Sequence, residues 1–527
     1  MSTRYKLNKD TMPSFLMAIV IKVVLILIAF LVQSNLLDYF ETRSPADYTL
    51  IDFAPEIWLS LLAFVFGTLI IVISIASEKT PKLIDLFVTE YWSRLFIWLI
   101  ALSSMENIFL HLVHGRNTIF IDNFIFLNNY ILLPSFVIVA IPYIFYILKF
   151  TKSSNVIKKI YHENIRAISQ AAENLPEVEV NRNHYQLLET INQLNDLLQY
   201  IEFKGPKGDI ITRLGKSLRF YLDHKKRIPS SYFKVSDAIK NDISFRTLGE
   251  KYLQIENERT FYEHKILRVL GTSYLLLIKE SHYDLASLCG NELYASARNA
   301  ADLDDQEVVN TIIIHFNTIL RFGINHGIKA REIRNVYNTI FHYSQLIHFF
   351  IKKREEERVV QCCRYFGFYA NEVGKLSLSE PLFLFLIEIF AIEMQKILMS
   401  LNINGLSREH QAIVLRMFND LSSEKRKRSF ESQWLLDSGL RLIQIALCLF
   451  YMNQKEEKFL EITVGAIIKD FGHLNEKQII QILIQDLTGL KMNVRIFGRK
   501  PIREIGIFTT HHTKFFYQYL VSMYLRK

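Results

Sequence analysis

The chain has 527 residues, half of them hydrophobic, and a formal charge of +9. That charge is uneven: residues 1–150 hold 10 Lys and Arg against 11 Asp and Glu, which leaves 52 bases and 42 acids, a net +10, for the rest. A basic soluble part is drawn to an anionic leaflet. Nucleic acid would suit the same charge, but no recognised binding motif and no interleaved basic and aromatic strand pattern is present, so it is not an expected partner. The densest run, Lys425-Arg426-Lys427-Arg428, reads as a solvated loop or a leaflet contact. The cysteines, Cys289, Cys362, Cys363 and Cys448, form no C-x-x-C pair. Adjacent Cys362 and Cys363 make a poor metal pair, so reduced, buried thiols are the expected state.

Four apolar runs come first: Phe15 to Val32, Ile57 to Ala76, Trp92 to Val113 and Tyr130 to Leu148. Each approaches the roughly 20 residues a helix needs to cross a bilayer. Lys and Arg stay on the cytoplasmic side of a membrane. The N-terminus carries Arg4, Lys6 and Lys9, and the first loop has Arg43 against Asp38, Glu41, Asp47, Asp52 and Glu56. The second loop carries Lys79 and Lys82, the third only Arg116, and Lys149, Lys152, Lys158 and Lys159 follow the fourth run. The expected topology is N-in and C-in, in a cell (inner) membrane, with two short outer loops. Gln33-Ser34-Asn35 offers no small-x-small cleavage site, so the first run reads as an uncleaved span and not as a signal peptide.

Polar residues inside spans are costly in lipid and mark function or protein contact. Lys22 lies in the inner part of span one, either snorkelling to the headgroups or serving a polar interior. Ser103, Glu106 and Asn107 fall in the outer half of span three, Glu106 being roughly 20 Å from its cytoplasmic end by helical rise. Glu106 is an intramembrane carboxylate or an interfacial one. The depths of Lys22 and Glu106 differ, which argues against a direct pair. Span two carries a stripe of small residues, Ser60, Ala63, Gly67 and Ser74, at spacings that share one face. Close helix packing explains this stripe better than pore lining does. Pro134 and Pro142 predict a kink in span four.

Beyond the spans, span four is expected to continue as a helix through Val156, Ile157, Ile160, Ile165 and Ile168, ending before Pro176. A second amphipathic helix covers 184–201, and Lys204-Gly205-Pro206-Lys207-Gly208 reads as a turn. Gly215-Lys216-Ser217 resembles the end of a phosphate loop, but Ile210 occupies the place of its first glycine, so no phosphate site is expected. Helical patterns then recur at 257–280, 282–298, 305–323, 329–353, 355–374, 380–401, 407–421, 431–453, 455–471 and 476–488. Asp304 before Gln306 and Glu307 predicts a helix cap. The apolar start of 380–401 is interrupted by Glu388 and Glu393, which predicts a buried core helix and not a fifth span. Residues 492–509 are compatible with a small β-hairpin, and His511-His512 precede a last helix at 513–525. No clean fixed-period repeat stands out, although a helical array without a consensus fits the pattern.

The stretch Ser74-Ile75-Ala76-Ser77, then Thr80-Pro81-Lys82-Leu83-Ile84-Asp85-Leu86-Phe87, and the span-four exit Ser154-Asn155-Val156-Ile157-Lys158-Lys159-Ile160 resemble a bacterial family of membrane proteins of unknown function. Ala297-Arg298-Asn299-Ala300 to Asn310 is similar to a polar motif that begins a helix in that family, but lacks its proline and asparagine. The resemblance implies four N-terminal spans and a cytoplasmic C-terminal part, and no chemistry.

The expected fold is therefore all-α. A four-helix transmembrane domain covers 1–150, a membrane-proximal helical linker 151–255 and a helical cytoplasmic domain 256–527. No serine-protease, zinc-protease, kinase or dinucleotide motif is present, and no cofactor or metal set, so an enzyme is not expected. Four spans enclose little space alone, which predicts a homo-oligomer. The leading functional expectation is a channel or pore gated by the cytoplasmic domain, with Glu106 favouring cations. The alternative is a membrane-anchored sensor or scaffold, of a stress or defence signalling kind, that binds a protein partner through the cytoplasmic domain.

Overall fold

The computed structural model describes residues 14–25, 27, 49–79, 91–113, 127–150, 152–173, 175–246, 248–376, 383–423 and 430–470. Every regular element among them is a helix. The expected hairpin at 492–509, the helices at 476–488 and 513–525 and the run Lys425–Arg428 lie outside the described residues. The chain divides into two compact units, one of 1–163 with 192–209 and one of 164–191 with 210–527.

The first unit contains α1 (Ser14–Leu25), α2 (Thr49–Lys79), α3 (Tyr91–Val113), a π-helical turn (Leu127–Leu132) and α4 (Leu133–Phe150). One face of α2, formed by Ala54, Trp58, Leu61, Val65 and Leu69, is buried at successive spacings of four, three, four and four. It packs on Phe96 and Ile100 of α3 and on Leu133, Ala140 and Tyr143 of α4. Ring contacts lock the cluster: Trp58 meets Phe136 edge-on at 5.5 Å, and Phe96 lies 4.3 Å from Tyr143. On α1, Phe15 packs edge-on against Trp98 at 4.8 Å. The outward faces are apolar, with Phe64, Ile70, Phe109, Leu112, Ile138 and Phe145 all exposed. Among the described residues one helix, Phe53–Ile71, is long and apolar enough to cross a membrane, and Ser14–Leu25 and Leu133–Phe145 are shorter apolar helices. Arg94, Ser103, Ser104, Glu106 and Asn107 interrupt the apolar character of α3.

Span four departs from expectation in two ways. Pro134 is the second residue of α4, where a missing N–H costs little, and the irregularity precedes it as the π turn. The helix also stops at Phe150 and restarts as α5 (Ser153–Ala172), because Asn155 and Val156 N–H both donate to the Lys152 carbonyl and open a new first turn. α6 (Glu177–Tyr200) follows. Residues 204–208 are not a turn but the start of α7 (Lys204–Lys225). Pro206 sits in its first turn, and Ile210, Leu214 and Leu218 bury one face behind it. Gly215-Lys216-Ser217 is thus helix interior.

In the second unit, α8 (Asp237–Asn241) and α9 (Tyr252–Glu258) lead to a regular series: α10 (Phe261–Lys279), α11 (Tyr283–Asp302), α12 (Gln306–Ala330), α13 (Arg334–Lys353), α14 (Glu356–Leu376), α15 (Leu384–Ile403), α16 (Arg408–Ser423), α17 (Phe430–Asn453) and α18 (Glu457–Asp470). Each helix packs on its neighbour in sequence and on the next but one. This pattern makes two layers, with α11, α13, α15 and α17 in one and the even-numbered helices α10 to α18 in the other. The helix expected at 257–280 is split by Arg259, which is left-handed at φ 54. α15 is the buried core helix its composition predicts, with Leu386, Ile387, Phe390, Ala391 and Met394 inaccessible. All four cysteines are free and buried, as expected.

The array has a period hidden from the composition. Left-handed residues close the first helix of successive hairpins at Asp304, Arg354, Gly405 and Lys455, spaced 50, 51 and 50 apart. After each, one amide reaches back five residues: Asp305 to Ala300, Glu355 to Phe350, Leu406 to Leu401 and Glu456 to Tyr451, at 2.9–3.2 Å. This is the Schellman closure, which satisfies the last carbonyls of a helix and turns the chain. Asp304 is therefore the turn residue, and the cap of α12 is Asp305, whose carboxylate accepts from Val308 N–H at 3.3 Å.

Buried polar pairs pin this unit. Lys225 lies between Glu263, at 2.5 Å, and Asp305, at 2.7 Å. Burial works against its charge, and the two carboxylates outweigh it, holding the ammonium above its ordinary range. Lys265 donates to both Asp242 oxygens at 2.8 Å and to Ser244 at 2.9 Å, which uses all three of its protons. Arg219 meets Glu292 at 2.7 Å, and Glu292 lies directly against Gly215, where any side chain would collide with it.

Candidate functional site

Several polar residues of the first unit meet around the middle of α3. Lys22 Nζ donates to Glu106 Oε2 at 2.6 Å, with Lys22 buried and Glu106 half-buried. The depth argument against a direct pair is therefore corrected: the long, flexible lysine side chain reaches the carboxylate. On α3, Ser103 and Asn107 lie one turn apart and are both buried. Asn128 Nδ2 in the π turn donates to Asn107 Oδ1 at 3.3 Å. Ser104 Oγ donates to the Ile100 carbonyl at 2.9 Å and approaches the Trp58 carbonyl of α2 at 3.4 Å. Among the described residues, Ser103 Oγ, Asn107 Nδ2, Asn128 Oδ1 and Asn129 Oδ1 are buried without a hydrogen-bond partner.

Lys22, Ser103, Glu106 and Asn107, each singled out in the sequence for lying inside an apolar run, thus cluster around α3, a grouping the sequence reading did not make. Sequence reasoning passed over Ser104, Asn128 and Asn129. The available signal was the adjacent asparagine pair just ahead of span four. The small-residue stripe is elsewhere. Ser60, Ala63 and Ser74 are exposed and Gly67 is half-buried with open space beside it, so among the described residues no helix packs closely on this face of α2.

The second unit offers surface instead of a closed site. A groove of about 740 Å³ crosses the starts of α11, α13 and α15, with Tyr283, Tyr337 and Phe385 beside Arg334 and Glu332. Ser407, His410 and Glu356 have the residue types of a hydrolase triad. However, Ser407 Oγ and Glu356 Oε2 both meet His410 Nδ1, at 2.6 and 2.7 Å. A relay needs the serine on the opposite ring nitrogen. The set instead clamps the start of α16, with Ser407 N–H donating to Glu356 at 3.0 Å. Burial raises the Cys362 thiol to about 12, far from nucleophilic range. Among the described residues no group of three or more His, Cys, Asp or Glu could hold a metal.

No family model, curated protein or solved structure matches this chain.

Proposed function

We propose that this chain is a membrane-anchored scaffold whose helical-hairpin array binds protein partners. The observation that carries the reading is the array itself, hairpins repeating at 50 residues and stacking in two layers. Stacked hairpins create an extended surface that no compact domain of this size offers, and such surfaces serve partner binding. The four N-terminal apolar helices supply the anchor in an N-in, C-in topology. The loop charges and the exposed apolar faces of α1 to α4 support that placement. The open small-residue face of α2 is a surface on which a second copy packs closely, giving a homo-oligomer. The test is exchange of the four spans for unrelated spans of the same topology. A scaffold keeps its partners and its cellular role after the exchange.

A second reading, an oligomeric cation channel gated by the cytoplasmic part, is favoured by the buried polar centre. Four unpartnered polar atoms inside an apolar domain call for water, an ion or polar groups of a second copy. Against it, Lys22 already neutralises the carboxylate on which selectivity would rest. Planar-bilayer recording of the purified protein decides: discrete conductance steps with a cation reversal potential favour the channel, and silence with verified insertion favours the scaffold.

A further inference from the structure

The even-numbered layer has one solvent-facing stripe per helix. On α12 it includes Ile314, on α14 Arg364, Tyr365 and Phe368, and on α16 Arg416. Ile314, Arg364 and Arg416 are each the ninth residue of their helix. Two contacts fix the register of α12 against α14: Arg358 donates to Asn310 at 3.3 Å, and Tyr369 OH donates to the Asn317 carbonyl at 3.0 Å. These pairs straddle the ninth positions, so Ile314 and Arg364 lie level. Among the described residues neither Arg364 nor Arg416 has a hydrogen-bond or carboxylate partner. Of the acids of these helices, Glu307, Glu357 and Glu409 sit in first turns, Glu356 is held by Ser407 and His410 and Glu372 by Lys375, and Asp420 follows Arg416 by one turn, so the level of Ile314, Arg364 and Arg416 itself carries no carboxylate. Phe368 is 57% exposed and Ile314 59%, so apolar surface lies beside the two arginines on this band.

We infer that this band across α12, α14 and α16 docks an extended acidic peptide of a partner protein. Neighbouring helices in a layer lie about 9 Å apart. Three residues of extended chain span about 10 Å. A carboxylate at every third position would therefore meet Arg364 and Arg416 in turn, each able to grip it with two parallel hydrogen bonds. Apolar residues between the carboxylates would rest on Phe368, Tyr365 and Ile314. Lipid headgroups fit less well, since attraction to an anionic leaflet takes clusters of four to eight basic residues and this band presents about one per helix.

The inference rests on the scaffold reading. The test uses full-length protein in detergent and a fluorescein-labelled peptide of four Asp-Phe-Ser repeats, read by anisotropy. The expected result is saturable, salt-sensitive binding that weakens at least about tenfold in the Arg364→Glu/Arg416→Glu protein, and likewise when Lys replaces Asp in the peptide. Phe368→Ser, which leaves the charges intact, weakens binding without changing its salt dependence. Equal binding by the charge-reversed protein, or no preference for the aspartate peptide, overturns the inference. So does stronger, arginine-dependent binding to a single-stranded oligonucleotide or to phosphatidylglycerol vesicles. Crosslinking in cells separates this inference from its foundation: partners retained by the charge-reversed protein refute this face and leave the scaffold reading standing.

Discussion

The Lys22 ammonium and the Glu106 carboxylate meet at 2.6 Å across 84 positions of sequence, joining α1 to α3 inside the apolar part of the chain. Removing one partner of such a pair strands the other largely out of reach of solvent, with its charge uncompensated. Lys22→Ala and Glu106→Ala are each expected to destabilise the first unit by about 3 kcal/mol. The double substitution is expected to cost less than either single change. Thermal unfolding in detergent, analysed as a double-mutant cycle, measures the coupling. Purely additive effects would mean that the pair contributes nothing.

Gly215 tests the packing of α7 on α11. A Cβ there would fall 2.0 Å from Glu292 Oε2, whereas one at Gly205 meets nothing. Gly215→Ala is expected to displace the carboxylate from Arg219 and destabilise the second unit by about 1–3 kcal/mol. Gly205→Ala, at an open site near the start of the same helix, is expected to be neutral or slightly stabilising. Urea midpoints of the two variants give the comparison.

The turns of the array carry strain at known positions. Arg354 and Lys455 adopt φ of 60 and 58, a region that a Cβ makes costly by about 1–2 kcal/mol. Arg354→Gly and Lys455→Gly are each expected to stabilise by about 0.5–1 kcal/mol after the extra flexibility of glycine in the unfolded chain is deducted. Gly405→Ala, at φ 63, is expected to destabilise by a similar amount. Shifts in denaturation midpoint of opposite sign at equivalent turns would establish the common geometry.

His184 is expected to make the second unit acid-sensitive. Its ring packs on Tyr232 and Phe261, and its Nδ1 meets Ser236 Oγ at 2.9 Å. Burial holds its pKa down at about 4, against 6.5 for the ordinary side chain. The folded state refuses a proton that the unfolded chain accepts. Its contribution is complete above pH 6.5 and is lost as the pH falls toward 4, by about 3 kcal/mol at most. His184→Gln is expected to flatten the fall in urea midpoint over that interval. An unchanged slope would assign the acid sensitivity to other groups.

What the residues determined alone was periodicity and sign. Apolar runs of span length marked α1 to α4, and three-to-four spacing marked nearly every helix from α10 to α18, because a helix needs one buried stripe and writes it into the local sequence. Ser103, Glu106 and Asn107 stood out because polar groups inside apolar runs are costly and so informative. Several of the failures were questions of partnership. The depth of Lys22 in its own helix said nothing about how far its flexible side chain would reach toward α3. Gly205-Pro206 carried the local signature of a turn, and the burial of Ile210, Leu214 and Leu218 overrode it. The small residues of α2 announced a close-packing face but not that, among the described residues, no helix covers it. The array's repeat escaped notice because its turns are closed by Asp, Arg, Gly and Lys in one shared backbone conformation. That closure is made of main-chain hydrogen bonds, which place little demand on side-chain identity, so only the tertiary structure reveals it.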